Sequence, residues 1–416
     1  MSKYVIRPNG PLKGKVKIDG AKNAALPILA ATLMTSGEIT LEYVPNISDI
    51  HVMTQILNSI GVETEQHEDQ VSLLVPEQTK TEIPYALAKN IRASNLFLGA
   101  LLVRNKKVAV PLPGGCNIGS RPMDLHLKGF QAMGAEVSLN QGAVIVERGK
   151  LVGAKIYLDF PSVGATENIM MAACAAEGQT VIENAAKEPE IVDLANFLNA
   201  MGAKVRGAGT DLIKIKGFAE FNPVNYAVIP DRIEAGTFMI AAAITRGEVI
   251  LENVISTHLQ PLIAKLTEMG VEIIEEEGSL KVIGKKSVMP ASVKTLPYPG
   301  FPTDLQSPMM ALLSLAAGTS TIVENVFENR LSLADELTRM GASIKIEGHT
   351  AIIEGVSGLK GAAVRALDLR AGAALMVAGL IAEGQTEILE ANHIERGYYG
   401  IDEKLNKLGA IVEKLK

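Results

Sequence analysis

Two segments of this 416-residue chain place reactive side chains where a packed core has no use for them. The first is Leu112-Pro113-Gly114-Gly115-Cys116-Asn117-Ile118-Gly119-Ser120-Arg121-Pro122. Its prolines and glycines exclude a regular helix or central strand, so the thiol of Cys116 sits on a loop. Arg121 follows five positions on, and a loop cysteine near fixed positive charge has a lowered pKa, fit for a proton donor or nucleophile. The other cysteine, Cys174, lies in Met170-Met171-Ala172-Ala173-Cys174-Ala175-Ala176 and reads as a small core hydrophobe. The second segment, Phe301-Pro302-Thr303-Asp304, puts a carboxylate at the head of an apolar helical stretch. From its neighbours alone Asp304 is first a helix N-cap or first-turn acid, and second a candidate base.

Six cations, Lys22, Arg92, Arg121, Arg330, Arg370 and Arg396, stand at junctions between elements and not on exposed helix faces. Singly, each would be a solvated charge or half of a weak ion pair. As a set they predict a pocket for an anion with several oxygens. Metal and triphosphate signatures are missing. The chain has no HExxH or CxxC pattern, Gly10-Pro11-Leu12-Lys13-Gly14-Lys15 is one residue too short for a phosphate loop, and the six histidines lack ligand spacing.

The elements that must position these residues repeat. A phrase ending in Met-Gly or a close relative recurs at Ser59-Ile60-Gly61, Ala132-Met133-Gly134, Ala200-Met201-Gly202, Glu268-Met269-Gly270, Arg339-Met340-Gly341 and Lys407-Leu408-Gly409. The interval, roughly 70 residues, is that of a supersecondary unit. Each phrase closes an amphipathic helix. In the fourth copy Leu259, Leu262, Ile263, Leu266 and Met269 share one face, Pro261 sits in the first turn, and Gly270 stands at the C-terminal cap. A more apolar helix precedes each, as at Ala25–Met34, Asn168–Ala176, Thr237–Thr245, Pro308–Ala317 and Gly372–Ala382, and most end at a glycine before a strand. Six such units exceed one core, so two groups of three are expected: residues 21–229, and residues 1–20 with 230–416. A cleft between two lobes is a favoured place for a ligand.

Composition is that of a globular protein and not of a disordered chain. Hydrophobic residues make up 47%, charged residues 21% and aromatics 4%, without tryptophan, so the core is aliphatic and methionine-rich. A net charge of -6 argues against a large nucleic-acid footprint. The first residues lack the apolar stretch of a secretory signal, and runs such as Ile169–Ala176 and Ala373–Ala382 fall short of the roughly 20 residues of a membrane span. Two cysteines do not make a disulfide framework. The expectation is a soluble cytoplasmic protein.

These phrases together resemble the UDP-N-acetylglucosamine 1-carboxyvinyltransferases of the enolpyruvyl transferase family. The matching segments are Gly20-Ala21-Lys22-Asn23-Ala24-Ala25-Leu26-Pro27, Arg92-Ala93-Ser94, the Cys116 loop through Asp124-Leu125-His126, and Ser162-Val163-Gly164-Ala165-Thr166. They continue through Glu188-Pro189-Glu190, Asp231-Arg232-Ile233-Glu234, Phe301–Asp304, Phe327-Glu328-Asn329-Arg330, Asp368-Leu369-Arg370 and Arg396-Gly397-Tyr398, in family order. The resemblance implies a two-lobed, inside-out α/β barrel of six βαβαββ-like units, three per lobe. It implies transfer of the enolpyruvyl group of phosphoenolpyruvate to the 3-hydroxyl of UDP-N-acetylglucosamine, which commits the sugar to peptidoglycan.

By the same resemblance Cys116 is the proton donor to the methylene carbon or the bearer of a covalent phospholactoyl adduct, and Asp304 is the base that takes the sugar hydroxyl proton or, later, a methyl proton. Lys22, Arg121 and Arg396 hold phosphate, and Arg330 and Arg370 lie near the carboxylate or the developing charge. Asn23, Arg92, Arg121, Pro122, Met123, Asp124, Leu125, Ser162, Val163, Gly164, Asp304 and Val326 contact the nucleotide sugar. No metal, organic cofactor, nucleic acid, membrane or obligatory protein partner is implied. Where some relatives carry lysine before Ser-Val-Gly this chain has Phe160-Pro161, so a cationic contact to the uridine diphosphate is lost or replaced. Two alternatives are a transferase acting on shikimate 3-phosphate, which does not use this loop, and a catalytically silent sugar-binding paralogue.

Overall fold

The computed structural model describes residues 2–112, 123–217 and 220–415. The chain forms two compact units. One contains Met1–Asp19 and Pro230–Lys416, and the other takes in the described residues between Gly20 and Ile229.

Each unit is built with helices inside and sheets outside. In the first, helices Arg232–Ile244, Gln306–Leu313 and Leu369–Gly379 pack on one another and are almost wholly buried. In the second, Leu96–Arg104 packs on both Lys22–Ala31 and Val163–Ala173, with nine of the ten residues of Lys22–Ala31 buried. A helix apolar on every side is stable only when neighbours enclose it. The amphipathic helices, among them Ser48–Ser59, Pro189–Ala200 and Gln260–Glu268, lay one face on this interior. Around it stand three separate sheets per unit, five of the six four-stranded and one three-stranded among the described residues. Their strands alternate buried and exposed positions, as in Glu248–Glu252 and Leu212–Lys216, so each sheet has a wet face and a core face.

The recurring phrase does what its composition requires. All six of its glycines have positive φ, from +88° at Gly134 to +109° at Gly202, which lets the chain leave the helix and turn into the next strand. Gly247 serves differently. Arg246 takes the left-handed turn with φ 57°, while a Cβ on Gly247 would stand 2.3 Å from the Leu12 carbonyl oxygen, so close backbone approach excludes a side chain.

The buried helices begin earlier than their apolar runs. Ser162, Asp231 and Asp368 cap helices that start at Val163, Arg232 and Leu369, their side-chain oxygens accepting backbone N–H bonds of the first turn. The polar first turns are thereby drawn into the interior.

Each unit is also completed by a strand from far along the sequence. Lys13–Lys17 pairs in parallel with Glu248–Glu252, and Tyr226–Ala227 pairs in parallel with Gly37–Glu42. The segment just ahead of one unit's first buried helix thus joins the sheet of the other repeat group, because the chain passes between units after Asp19 and after Ile229. Lys3–Arg7 lies between Thr386–Leu389 and Ile411–Leu415, antiparallel to both, and fills the sixth sheet.

Candidate active site

Asp304 is not a helix cap. It sits in the short turn Thr303–Leu305, and neither that turn nor the following helix Gln306–Leu313 has a side-chain cap bond. Its carboxylate is gripped instead by two arginines from other elements. Arg330 Nη1 donates to Oδ1 at 2.7 Å, and Arg370 donates to Oδ2 from Nη2 at 2.9 Å and from Nε at 3.2 Å. The arginine side chains are 2% and 4% exposed and the Asp304 side chain 24%, so solvent reaches the acid more readily than its partners. Burial alone would raise the Asp304 carboxyl, but the charges of Arg370 and Arg330 and their hydrogen bonds outweigh it and hold it far below the usual carboxylate range.

Aromatic rings fix both guanidinium groups. Arg330 lies 5.0 Å from the centroid of Phe327, and Arg370 lies 5.4 Å from that of Tyr398. Tyr398 is itself anchored. The Thr237 hydroxyl donates to the Ile233 carbonyl at 2.8 Å, so at the 2.8 Å contact between the two hydroxyls it is Tyr398 that donates. Buried Glu324 ties the turn of Asp304 to the neighbouring loop. It accepts from Thr303 Oγ1 at 3.0 Å, Thr295 Oγ1 at 2.8 Å and the backbone N–H groups of Val326 and Phe327 at 2.8 and 3.2 Å. Arg396 ends the short turn Ala391–Arg396 and is half-buried.

In the other unit Lys22 opens its buried helix and is itself buried, its Nζ 2.6 Å from Asp49 Oδ2 in the first turn of Ser48–Ser59. Asn23 beside it is half-buried. A second group centres on Asn168. Its Oδ1 accepts the Gly99 N–H at 2.8 Å, which leaves its Nδ2 as donor to the Asn95 carbonyl at 3.0 Å and to His126 Nδ1 at 2.8 Å. His126 Nδ1 is therefore the unprotonated nitrogen, and the neutral ring carries its proton on Nε2. Burial, with the nearby charge of Arg92, lowers the His126 pKa to about 4. A Cβ on Gly164 would meet His126 Cε1 at 3.2 Å, so the turn Ser162–Gly164 lies directly against this ring. Met123 is buried, Leu125 half-buried, and Asp124 exposed at the start of helix Asp124–Ala132. Phe160 is exposed.

Cys116, Arg121 and Pro122 lie outside the described residues. Of the other expected residues, one unit unites Asp304, Arg330 and Arg370, with Val326 joined to them through Glu324. The other unit holds Lys22, Asn23, Arg92 and Ser162–Gly164. Sequence reasoning missed Asp49, Glu324, Asn168 and Tyr398. The last closes the family phrase Arg396-Gly397-Tyr398, a signal that could have drawn attention to it. Cys174 is fully buried, its Sγ donating to the Met170 carbonyl at 3.3 Å, and burial pushes its thiol up to about 12. Among the described residues no group of three or more His, Cys, Asp or Glu could hold a metal ion, and no helix is long and apolar enough to cross a membrane.

Comparison with known proteins identifies the family. Residues 6–405 match the family model of EPSP synthase (3-phosphoshikimate 1-carboxyvinyltransferase). The chain is 56% identical over 417 aligned residues, covering 100% of both sequences, to UDP-N-acetylglucosamine 1-carboxyvinyltransferase 2 of Carboxydothermus hydrogenoformans. It is 56% identical to UDP-N-acetylglucosamine 1-carboxyvinyltransferase 1 of Caldanaerobacter subterraneus, covering 98% of each. Among solved structures it resembles the enolpyruvyl transferase NikO of Streptomyces tendae, with TM-score 0.90 at 24% identity over 99% of this chain and 98% of that one. EPSP synthase of Acinetobacter baumannii follows with TM-score 0.78 at 21% identity over the full length of both. The structural likenesses carry the fold, and the full-length sequence identities place the chain in the EPSP synthase family of enolpyruvyl transferases, among its UDP-N-acetylglucosamine 1-carboxyvinyltransferases.

Proposed function

We propose that this protein transfers the enolpyruvyl group of phosphoenolpyruvate to the 3-hydroxyl of UDP-N-acetylglucosamine and releases phosphate, the committing step of peptidoglycan synthesis. The observation that carries the reading on the chain's own residues is the carboxylate of Asp304 set between two buried arginines, a constellation suited to an anionic substrate beside a base.

The sugar oxygen attacks C2 of phosphoenolpyruvate while the Cys116 thiol gives a proton to the C3 methylene, and Asp304 takes the hydroxyl proton. A tetrahedral ketal results. A methyl proton then passes to the Cys116 thiolate as the double bond reforms and the C2–O bond to phosphate breaks, and the proton held by Asp304 leaves with the phosphate. Positioned acid–base steps of this kind supply on the order of 10²–10⁴-fold each. Lys22, Arg121 and Arg396 hold the phosphate, and Arg330 and Arg370 lie near the carboxylate or the developing charge. Asn23, Arg92, the segment 121–125, Ser162–Gly164 and Val326 take the nucleotide sugar. No metal or organic cofactor enters the scheme, and the protein acts in the cytoplasm.

Phosphate release with each acceptor tests the assignment. UDP-N-acetylglucosamine with phosphoenolpyruvate should give phosphate and the enolpyruvyl sugar by mass, and shikimate 3-phosphate should give neither. Turnover with shikimate 3-phosphate alone would move the protein to the activity that names the family model, and background release with both would leave a silent binder. The epoxide phosphonate fosfomycin, a mimic of phosphoenolpyruvate, should alkylate Cys116 and spare a Cys116→Asp variant. Small-angle scattering should show compaction when the nucleotide sugar is added.

A further inference from the structure

We propose that, without substrate, Asp304 occupies the arginine pair that a substrate carboxylate takes, and that arrival of that carboxylate at Arg330 and Arg370 releases Asp304 to act as a base. This inference rests on the enolpyruvyl-transfer reading above.

The geometry makes the present arrangement a resting one. A general base works best with a pKa near the operating pH. A carboxylate receiving three hydrogen bonds from two guanidinium groups is a counterion, with little tendency to accept a proton. Two guanidinium groups converge on this one carboxylate, with Asp231 the further negative charge that acts on Arg370. The arginine donors are not exhausted. Arg330 Nε and Arg370 Nη1 are buried with no hydrogen-bond acceptor among the described residues, and a buried donor stripped of water favours any group that can accept from it.

Which partner would move follows from how each is held. The arginines are buried, and each lies over an aromatic ring. The ring under Arg370 is anchored through Thr237. Asp304 lies on a short turn and is the most exposed member of the triad. An incoming carboxylate would therefore displace the acid from fixed guanidinium groups. The exchange couples catalytic competence to occupancy, since Asp304 becomes basic only when the anion to be attacked is in place.

Two unreactive probes differing by one carboxylate test the exchange: phospholactate and ethyl phosphate, titrated by calorimetry with and without UDP-N-acetylglucosamine. If Asp304 competes for the arginines, Asp304→Asn should bind phospholactate about tenfold more tightly than the parent, one charge-assisted hydrogen-bonded contact's worth, with ethyl phosphate changed by less than about twofold. Carbon-13 spectra of protein labelled at the aspartate carboxyls supply the second readout, with the Asp304 signal identified by its loss in the variant. In the free protein that carboxyl should show no titration above the ordinary aspartate value of about 4, and bound phospholactate, but not ethyl phosphate, should bring its titration above that value. Equal gains for both probes, or an Asp304 signal that phospholactate leaves silent, would overturn the exchange while leaving the transferase reading intact. Phospholactate that binds neither protein in either condition would remove the substrate site itself, and the exchange with it.

Discussion

Acidification should destabilise the unit containing His126 through that one side chain, and the amount can be worked out. The ring's pKa is lowered from 6.5 to about 4 in the folded protein, chiefly by burial. The folded state thus resists a proton that the unfolded chain accepts, and stability is full above 6.5 and falls as pH drops towards 4. The complete shift is worth about 3.4 kcal/mol, and the part lost between pH 7 and pH 5 is about 1.8 kcal/mol. Other groups act oppositely. Burial raises Glu234 to about 7 and Asp193 to about 6, so their folded forms bind protons more readily and gain stability over the same range. The raw pH profile would mix these effects, and the informative quantity is a difference. His126→Gln keeps an acceptor for the Asn168 amide but cannot titrate. Urea unfolding of both proteins at pH 7 and pH 5 should show the parent losing about 2 kcal/mol relative to the variant. A difference that does not change with pH, or an imidazole titrating near 6.5 in the folded protein by proton resonance, would refute the burial argument.

Glu324→Ala removes the acceptor shared by Thr303, Thr295, Val326 and Phe327. It should lower kcat on the order of tenfold or more by loosening the Asp304 turn, with the KM for UDP-N-acetylglucosamine changed far less, as steady-state kinetics would show. Gly99→Ala would place a Cβ 2.4 Å from the Asn168 carbonyl oxygen, and thermal unfolding should register a loss of about 2–3 kcal/mol, or roughly 4–12 °C. Of the two thiols, only Cys116 should react with a maleimide under native conditions, whereas in urea Cys174 should react as well. Intact mass spectrometry counts the adducts.

The repeat was legible because it is local. Each Met-Gly phrase contains its own reason, an amphipathic face ending at a residue that must turn left-handed, and all six glycines do so. Helix starts were harder. Apolar runs begin at Asn168, Thr237 and Gly372, yet the helices begin several residues earlier, because a capped polar turn can be buried once it has partners. Arg370 in such a turn is 3% exposed, a burial no hydropathy pattern indicates. Asp304 illustrates the same limit at the site. Its neighbours favoured an N-cap or first-turn acid, and it does lie in a first turn, but its side-chain partners lie 26 and 66 residues away, so only the family phrases carried the functional reading. The parallel pairings of Lys13–Lys17 and Tyr226–Ala227 are equally non-local, since they follow from where the chain changes units and not from the strands' own composition.

The placement of Lys3–Arg7 between two strands of the final repeat bears on how the protein is made. Lys3 meets Glu387 across 384 positions, and at bacterial elongation rates of about 5–20 residues per second the ribosome needs roughly 20–80 s to deliver that partner. Throughout that delay Tyr4 and Ile6, both destined for the interior, ride on the nascent chain without their sheet. The strand is only five residues long and is bracketed by Lys3 and Arg7, which limits premature pairing with other nascent chains on a polysome.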